Sequence, residues 1–236
     1  MRILAFDTST EISSIALAHE QGLIGEYNLA NKMDLSQRML PNIMAMLKDC
    51  RMELSDLDAI GVSLGPGSFT GLRIGVVTAK TFAQALNIPI VGIVSLDILA
   101  HQFDYLPYKL VCPVIKVRKG EVYYAFYRTH SGGLERISEY EAEPVEKLVE
   151  YARQIEGGEI IFCGDALEAN FSELQAGLGD RFVPASAWLC YPKASVLAKL
   201  AMSRLASGES DNPLSLVPFY IRKSTPEMRL EEKCES

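Results

Sequence analysis

The chain has no run of apolar residues near the ~18 that a membrane-crossing helix needs, so no membrane span is expected. Its start, MRILAFDTST, does not enter a long apolar stretch after its basic residue but turns strand-like toward Asp7. No export signal is expected from that pattern, and a cytoplasmic setting is. The five cysteines (Cys50, Cys112, Cys163, Cys190 and Cys234) are scattered, odd in number and never in a C-x-x-C pair. That excludes a dense disulfide framework and a zinc knuckle, and leaves reduced thiols packed in a core. No block of lysine and arginine occurs, and the net charge is −7. A protein that grips RNA itself normally neutralises phosphates with a basic surface. Any RNA in this protein's biology is therefore expected to be held mainly by another subunit.

Catalytic signatures are equally scarce. His19, His101 and His130 lie far apart, with no H-x-x-x-H pair to share a metal on one helix face, so no metal is expected. No G-x-S-x-G nucleophile elbow occurs. The carboxylate pairs Asp56/Asp58 and Glu139/Glu141 read as solvated surface. What remains is an ordinary globular composition, 48% apolar and 22% charged, over 236 residues. That length fits one large domain or two modest lobes.

Alternation and turn residues place strands at 2–7, 13–18 and 22–29, the last two joined by the turn His19-Glu20-Gln21-Gly22. A helix over 35–52, a buried strand over 58–64, a helix over 71–86, a strand over 88–93 and a short helix from Ser95 to near Phe103 follow. The order βββαβαβα then breaks at Asp104-Tyr105-Leu106-Pro107. Strands at 110–117, 121–128 and 134–140, a helix at 144–155, a strand at 159–163 and a helix at 165–174 repeat βββαβα. A last helix spans 192–207. Two lobes of like order suggest a duplicated ribonuclease-H-like α/β fold. The expected boundaries are 1–104 for the first lobe, 105–207 for the second and 208–236 for a tail, with the last helix free to pack on the first lobe.

The stretch SLGPGSFTGLRIG at 63–75 sets glycines between a strand and a helix, where phosphates are often held. The phosphate-loop pattern fails because no lysine stands in its place, and G-x-G-x-x-G fails because Gly71 comes one residue late. A residual anion site formed by Gly65, Gly67 and Ser68 or Thr70 at the helix start is one reading. The preferred one is that Pro66 stiffens the turn while the glycines allow close backbone packing. Asp7-Thr8-Ser9-Thr10, at the end of the first strand, carries the same pair of readings. In two-lobed kinases and ATPases an aspartate there organises metal and phosphate, yet these side chains can equally cap their own turn.

The helices are more informative. On the first, Leu35, Met39, Leu40, Ile43, Met44, Met46, Leu47 and Cys50 fill an arc of about 180°, wider than the ~100° that one sheet requires. On the second, only Arg73, Lys80 and Gln84 are strongly polar. Either a partner covers the surplus, with adaptable methionines suited to the task, or the last helix and the other lobe cover it inside the monomer. The partner is the expectation.

The segments ILAFDTST, SQRMLP, SLGPGSFTGLRIG, KGEVYYAFY and PFYIR, running from residue 3 to residue 222, resemble the TsaB (YeaZ) family. GPGSFTGLRIG is the most specific of them. The resemblance implies a two-lobed actin/Hsp70/acetate-kinase-like fold. It implies a non-catalytic scaffold in the formation of threonylcarbamoyladenosine at position 37 of tRNA. Its partners would be a paralogous TsaD-like transferase and a small TsaE-like ATPase, with a homodimer in isolation and tRNA contacted only indirectly. No cofactor is then required by this chain, and ATP and Mg belong to the partner subunits. The pairing face carries over to Leu35, Arg38, Met39, Asn42, Ile43 and Met46 on the first helix, and to Arg73, Val76, Val77 and Lys80 on the second. Asp7, Thr8, Ser9, Gly65, Gly67 and Ser68 would be a vestigial nucleotide or anion site. Two residues depart from the family pattern: Leu35 stands where a histidine is frequent, and Lys116 where an acidic residue commonly precedes Arg118-x-Gly120-Glu121-Val122-Tyr123. An autonomous ATP-dependent kinase or ATPase is the alternative, and a metallopeptidase a disfavoured one.

Overall fold

The computed structural model describes residues 1–30 and 35–221. The sequence-expected strands and helices fall within this span, whereas residues 222–236 and Cys234 lie outside it. Two sheets of matching topology build the molecule. In the first, β1 (Arg2–Asp7), β2 (Ile12–His19) and β3 (Gly22–Ala30) form an antiparallel meander. Two parallel strands, β4 (Ala59–Gly65) and β5 (Ile90–Val94), extend it to the order β3-β2-β1-β4-β5. In the second, β6 (Leu110–Arg118), β7 (Glu121–Tyr124) and β10 (Glu141–Pro144) are antiparallel. Here β11 (Ile160–Cys163) and β12 (Phe182–Pro184) add parallel strands, giving β10-β7-β6-β11-β12. Three antiparallel strands and two parallel ones, twice over, make this a duplicated ribonuclease-H-like fold.

One hairpin interrupts the copy. Instead of one strand over 121–128, the chain forms β7 and then β8 (Tyr127–His130), which pairs with β6 and with β9 (Gly133–Arg136). Pro113 in the middle of β6 has no N–H for the ladder. Between β7 and β8 the Phe126 N–H donates to Ser138 Oγ and its carbonyl accepts from the Ile137 N–H, both at 2.8 Å, so this residue bonds away from β6. The expected strand over 134–140 is split as well: its first part pairs with β8 as β9 and the chain resumes as β10 on β7.

The helices shift at their ends. α1 (Leu35–Asp49) stops short of the expected residue 52 because Arg51 adopts left-handed backbone, φ 54°. α2 (Phe69–Leu86) begins two residues early, capped by Ser68, whose Oγ accepts from the Gly71 N–H at 3.2 Å. The short α3 (Ser95–Ala100) follows β5, and α4 (Val145–Gln154) follows β10. The expected helix from residue 165 starts only at Phe171, as α5 (Phe171–Leu178), after a single 3-10 turn at Glu168–Asn170.

Strand alternation sorts the core. Leu4 and Phe6 of β1 face α1 and α2, together with Ile15, Leu17, Ile60 and Val62. Ile3 and Ala5 face the opposite way, onto α6 (Ala194–Ala206), where Leu197, Ala198 and Ala201 are fully buried. The last helix thus returns to the first sheet. Its N-terminus is capped from that sheet, the Ala194 N–H donating to Ser14 Oγ and the Ser195 N–H to Glu26 Oε1, both at 2.8 Å. α3 makes the reciprocal move, setting Leu96, Leu99 and Ala100 among Val111, Ile115, Ala125 and Ile161 of the second half.

Candidate functional site: the glycine turn and the outer face of α1 and α2

The glycine turn closes on the protein's own backbone. Ser68 N–H donates to the Ser9 carbonyl at 2.7 Å, and Thr8 Oγ1 donates to the Gly71 carbonyl at 2.8 Å. A β-carbon at Gly67 would stand 2.2 Å from the Ser9 carbonyl oxygen, and one at Gly71 would stand 2.1 Å from that of Thr8. These contacts explain the glycines. Asp7 is fully buried beneath them, accepting from Ser9 N–H at 3.0 Å and from Ser9 Oγ at 2.9 and 3.0 Å. Burial raises its pKa from 3.8 to about 6, against the hydrogen bonds from Ser9 that lower it. Of the residues expected in a vestigial site, Asp7, Thr8, Ser9, Gly65, Gly67 and Ser68 do come together. In the arrangement they form, the start of α2 is packed directly on the Thr8-Ser9 segment. Among the described residues, no group of three or more His, Cys, Asp or Glu side chains is placed to hold a metal ion.

The expected pairing face divides in two. Met39, Ile43 and Met46 of α1 and Val76 of α2 lie in the core against the first sheet, and Leu35 packs against the same cluster half-buried. These residues offer a partner little or nothing, which corrects the sequence reading. The apolar arc of α1 is wide because it serves two sides at once. A wheel shows the width of the arc but not which part the sheet takes. On the outer side of α1, Leu40 is 52% exposed and Met44 45% exposed, beside Arg38 and Lys48. On α2, Val77 is 63% exposed and Phe69 39% exposed, with Arg73 between them stacked 3.8 Å over the Phe69 ring. Arg38, Arg73 and Val77 keep surface, and Asn42 keeps part of it. Leu40, Met44 and Phe69 were missing from the expected set, although their spacing with the core residues already placed Leu40 and Met44 on the apolar arc.

Lys80 is used internally. Its Nζ donates to the carbonyls of Leu214 and Leu216 at 3.2 and 3.1 Å, holding the chain that follows α6 against α2. Part of the surplus apolar surface of α2 is therefore covered by residues 211–221 rather than by α6. The two helices carry four basic residues and one acidic, a net +3 in a chain of net −7. The exposed strip is accordingly apolar with a cationic border.

Comparison with known proteins gives this geometry a family. Residues 28–227 match the family model "TsaD: tRNA N6-adenosine threonylcarbamoyltransferase". The chain is 35% identical to the tRNA threonylcarbamoyladenosine biosynthesis protein TsaB of Bacillus subtilis, over 97% of both chains. It is 30% identical to the protein of the same name from Escherichia coli, over 99% of this chain and 100% of that one. Among solved structures, YeaZ from Pseudomonas aeruginosa superposes with a TM-score of 0.80 at 29% identity, covering 93% of this chain and 99% of that one. The match with these relatives runs through both halves, and the chain belongs to the TsaB family of tRNA threonylcarbamoyladenosine biosynthesis proteins.

Proposed function

We propose that this chain is the non-catalytic scaffold of threonylcarbamoyladenosine formation on tRNA, docking a paralogous TsaD-like transferase through the outer face of α1 and α2. The observation that carries the reading is the strip of Leu40, Met44, Phe69 and Val77, left exposed on two neighbouring helices whose inner sides are fully buried. Exposed apolar side chains on two such helices support an interaction site. The cations at its border, Arg38, Lys48 and Arg73, favour a partner face with acidic residues at its rim. The glycine turn then serves to seat α2 against the sheet and present Val77 outward. In isolation the same strip supports a homodimer. A small TsaE-like ATPase completes the complex, ATP and Mg act in the partner subunits, and tRNA is held mainly by them in the cytoplasm.

Co-purification tests this reading. Met44→Arg changes an exposed side chain, should fold normally and should recover little or no transferase. Met46→Arg would bury a charge in the core and cost the fold instead, so it cannot serve as the test. Recovery of the transferase by Met44→Arg at the wild-type level would overturn the proposal.

A further inference from the structure

The eleven residues after the loop that follows α6 behave as more than a trailing end. Asp211 bridges to Ile90 at the edge of β5, and its Oδ2 accepts from the Gly92 N–H at 2.7 Å. Lys80 then clamps the carbonyls of Leu214 and Leu216, and the Leu216 side chain enters the core beneath α1 and α2. Phe219 N–H donates to the Leu64 carbonyl at 2.8 Å, next to the glycine turn. From there the chain crosses to the other half. Phe219 packs edge-on against Tyr140, with ring centroids 5.5 Å apart, and Ile221 joins the apolar cluster of the second sheet. Between them Tyr220 reaches back to Phe69 at 5.5 Å, the same ring that Arg73 covers.

Tyr140 is itself a junction. Its hydroxyl donates to both oxygens of Asp97 at 2.9 Å, and Tyr127 donates to Asp97 Oδ1 at 2.6 Å. Asp97 belongs to α3, the helix that follows the first sheet and packs on the second. Six residues, from Leu216 to Ile221, thus join the core of one half, the first turn of α2, and the tyrosine-aspartate junction of the other half.

We infer that residues 211–221 form a latch that couples the first turn of α2 to the second half of the molecule. Displacing the Phe69–Arg73 end of α2 moves Tyr220, and the pull reaches Tyr140 through Phe219. The use of this latch by a docking partner rests on the function proposed above. The coupling itself is a property of the isolated chain and can be tested without a partner.

Hydrogen–deuterium exchange of the full chain, resolved by segment, reads it directly. Phe219→Ala removes one ring contact at the surface, and loss of such a contact should speed local opening about two- to tenfold. Faster exchange is expected in the latch, in residues 64–73 and in residues 137–141. Acceleration confined to 211–221 would overturn the inference. Tyr140→Leu tests the reverse direction, with faster exchange expected in 216–221 and 69–73. If Phe219→Ala fails to fold, this second variant decides alone, and acceleration limited to 137–141 counts against the latch. Wild-type transferase binding by Met44→Arg would overturn the docking proposal and leave these exchange results untouched, so the two proposals fail separately.

Discussion

The two halves turn from strand to helix in the same way and then part. After β4 the chain folds Gly67 onto the Ser9 carbonyl, and after β11 it folds Gly164 onto the Val114 carbonyl, a β-carbon standing 2.2 and 2.1 Å away respectively. The following amides complete each contact, Ser68 N–H to Ser9 at 2.7 Å and Ala166 N–H to Val114 at 3.3 Å. The second half does this without the G-P-G-S-F-T-G sequence. The tight turn is therefore a feature of the repeated fold. The difference comes next. The first turn launches an 18-residue helix with Phe69, Arg73 and Val77 facing outward, whereas the second passes through a 3-10 turn into an 8-residue helix. The docking face proposed above is built on the helix that follows the first of these turns.

The largest effects should come from the turns themselves. Gly67→Ala and Gly164→Ala each drive a β-carbon against a backbone carbonyl, and both backbones sit at positive φ, +155° and +112°. Each should cost about 3 kcal/mol or more in urea unfolding. Equal losses would confirm a shared folding device, whereas a tolerated substitution at either glycine would break the comparison. A smaller effect follows from the buried Asp7. Between pH 4 and 6, about where its unfolded and folded values lie, the unfolded carboxyl ionises while the folded one keeps its proton. Stability falls as pH rises through that window, by up to roughly 3 kcal/mol, and above it this residue adds no further slope. Asp7→Asn should remove that contribution from the pH dependence of the urea midpoint. An unchanged slope would show that the carboxylate is not buried as described. Asp165, raised chiefly by burial in the second half, provides the matched variant Asp165→Asn.

Much of this comparison was legible in the residues. The repeated βββαβα order gave both sheets, because alternating strands and glycine turns are local signals. The failures have particular causes. Phe126 bonds to Ile137 and Ser138, more than ten residues further on, so the break between β7 and β8 was invisible along the strand that suffers it. On α1, Met46 and Met44 are chemically alike, and only the position of the sheet separates the buried one from the exposed one. Lys80 reads as a surface cation until the chain more than 130 residues later brings two carbonyls to it. The glycines signalled a close approach but not what was approached, since Thr8 and Ser9 follow a different strand, β1.

The docking face gives the smallest expected change in stability and the most direct test. Val77→Asp alters an exposed side chain and should leave the unfolding midpoint within about 0.5 kcal/mol of wild type. Calorimetric titration with the TsaD-like transferase should then show affinity weakened about tenfold or more, since the variant sets a carboxylate in the middle of an apolar strip. Wild-type affinity in a normally folded Val77→Asp chain would contradict the account.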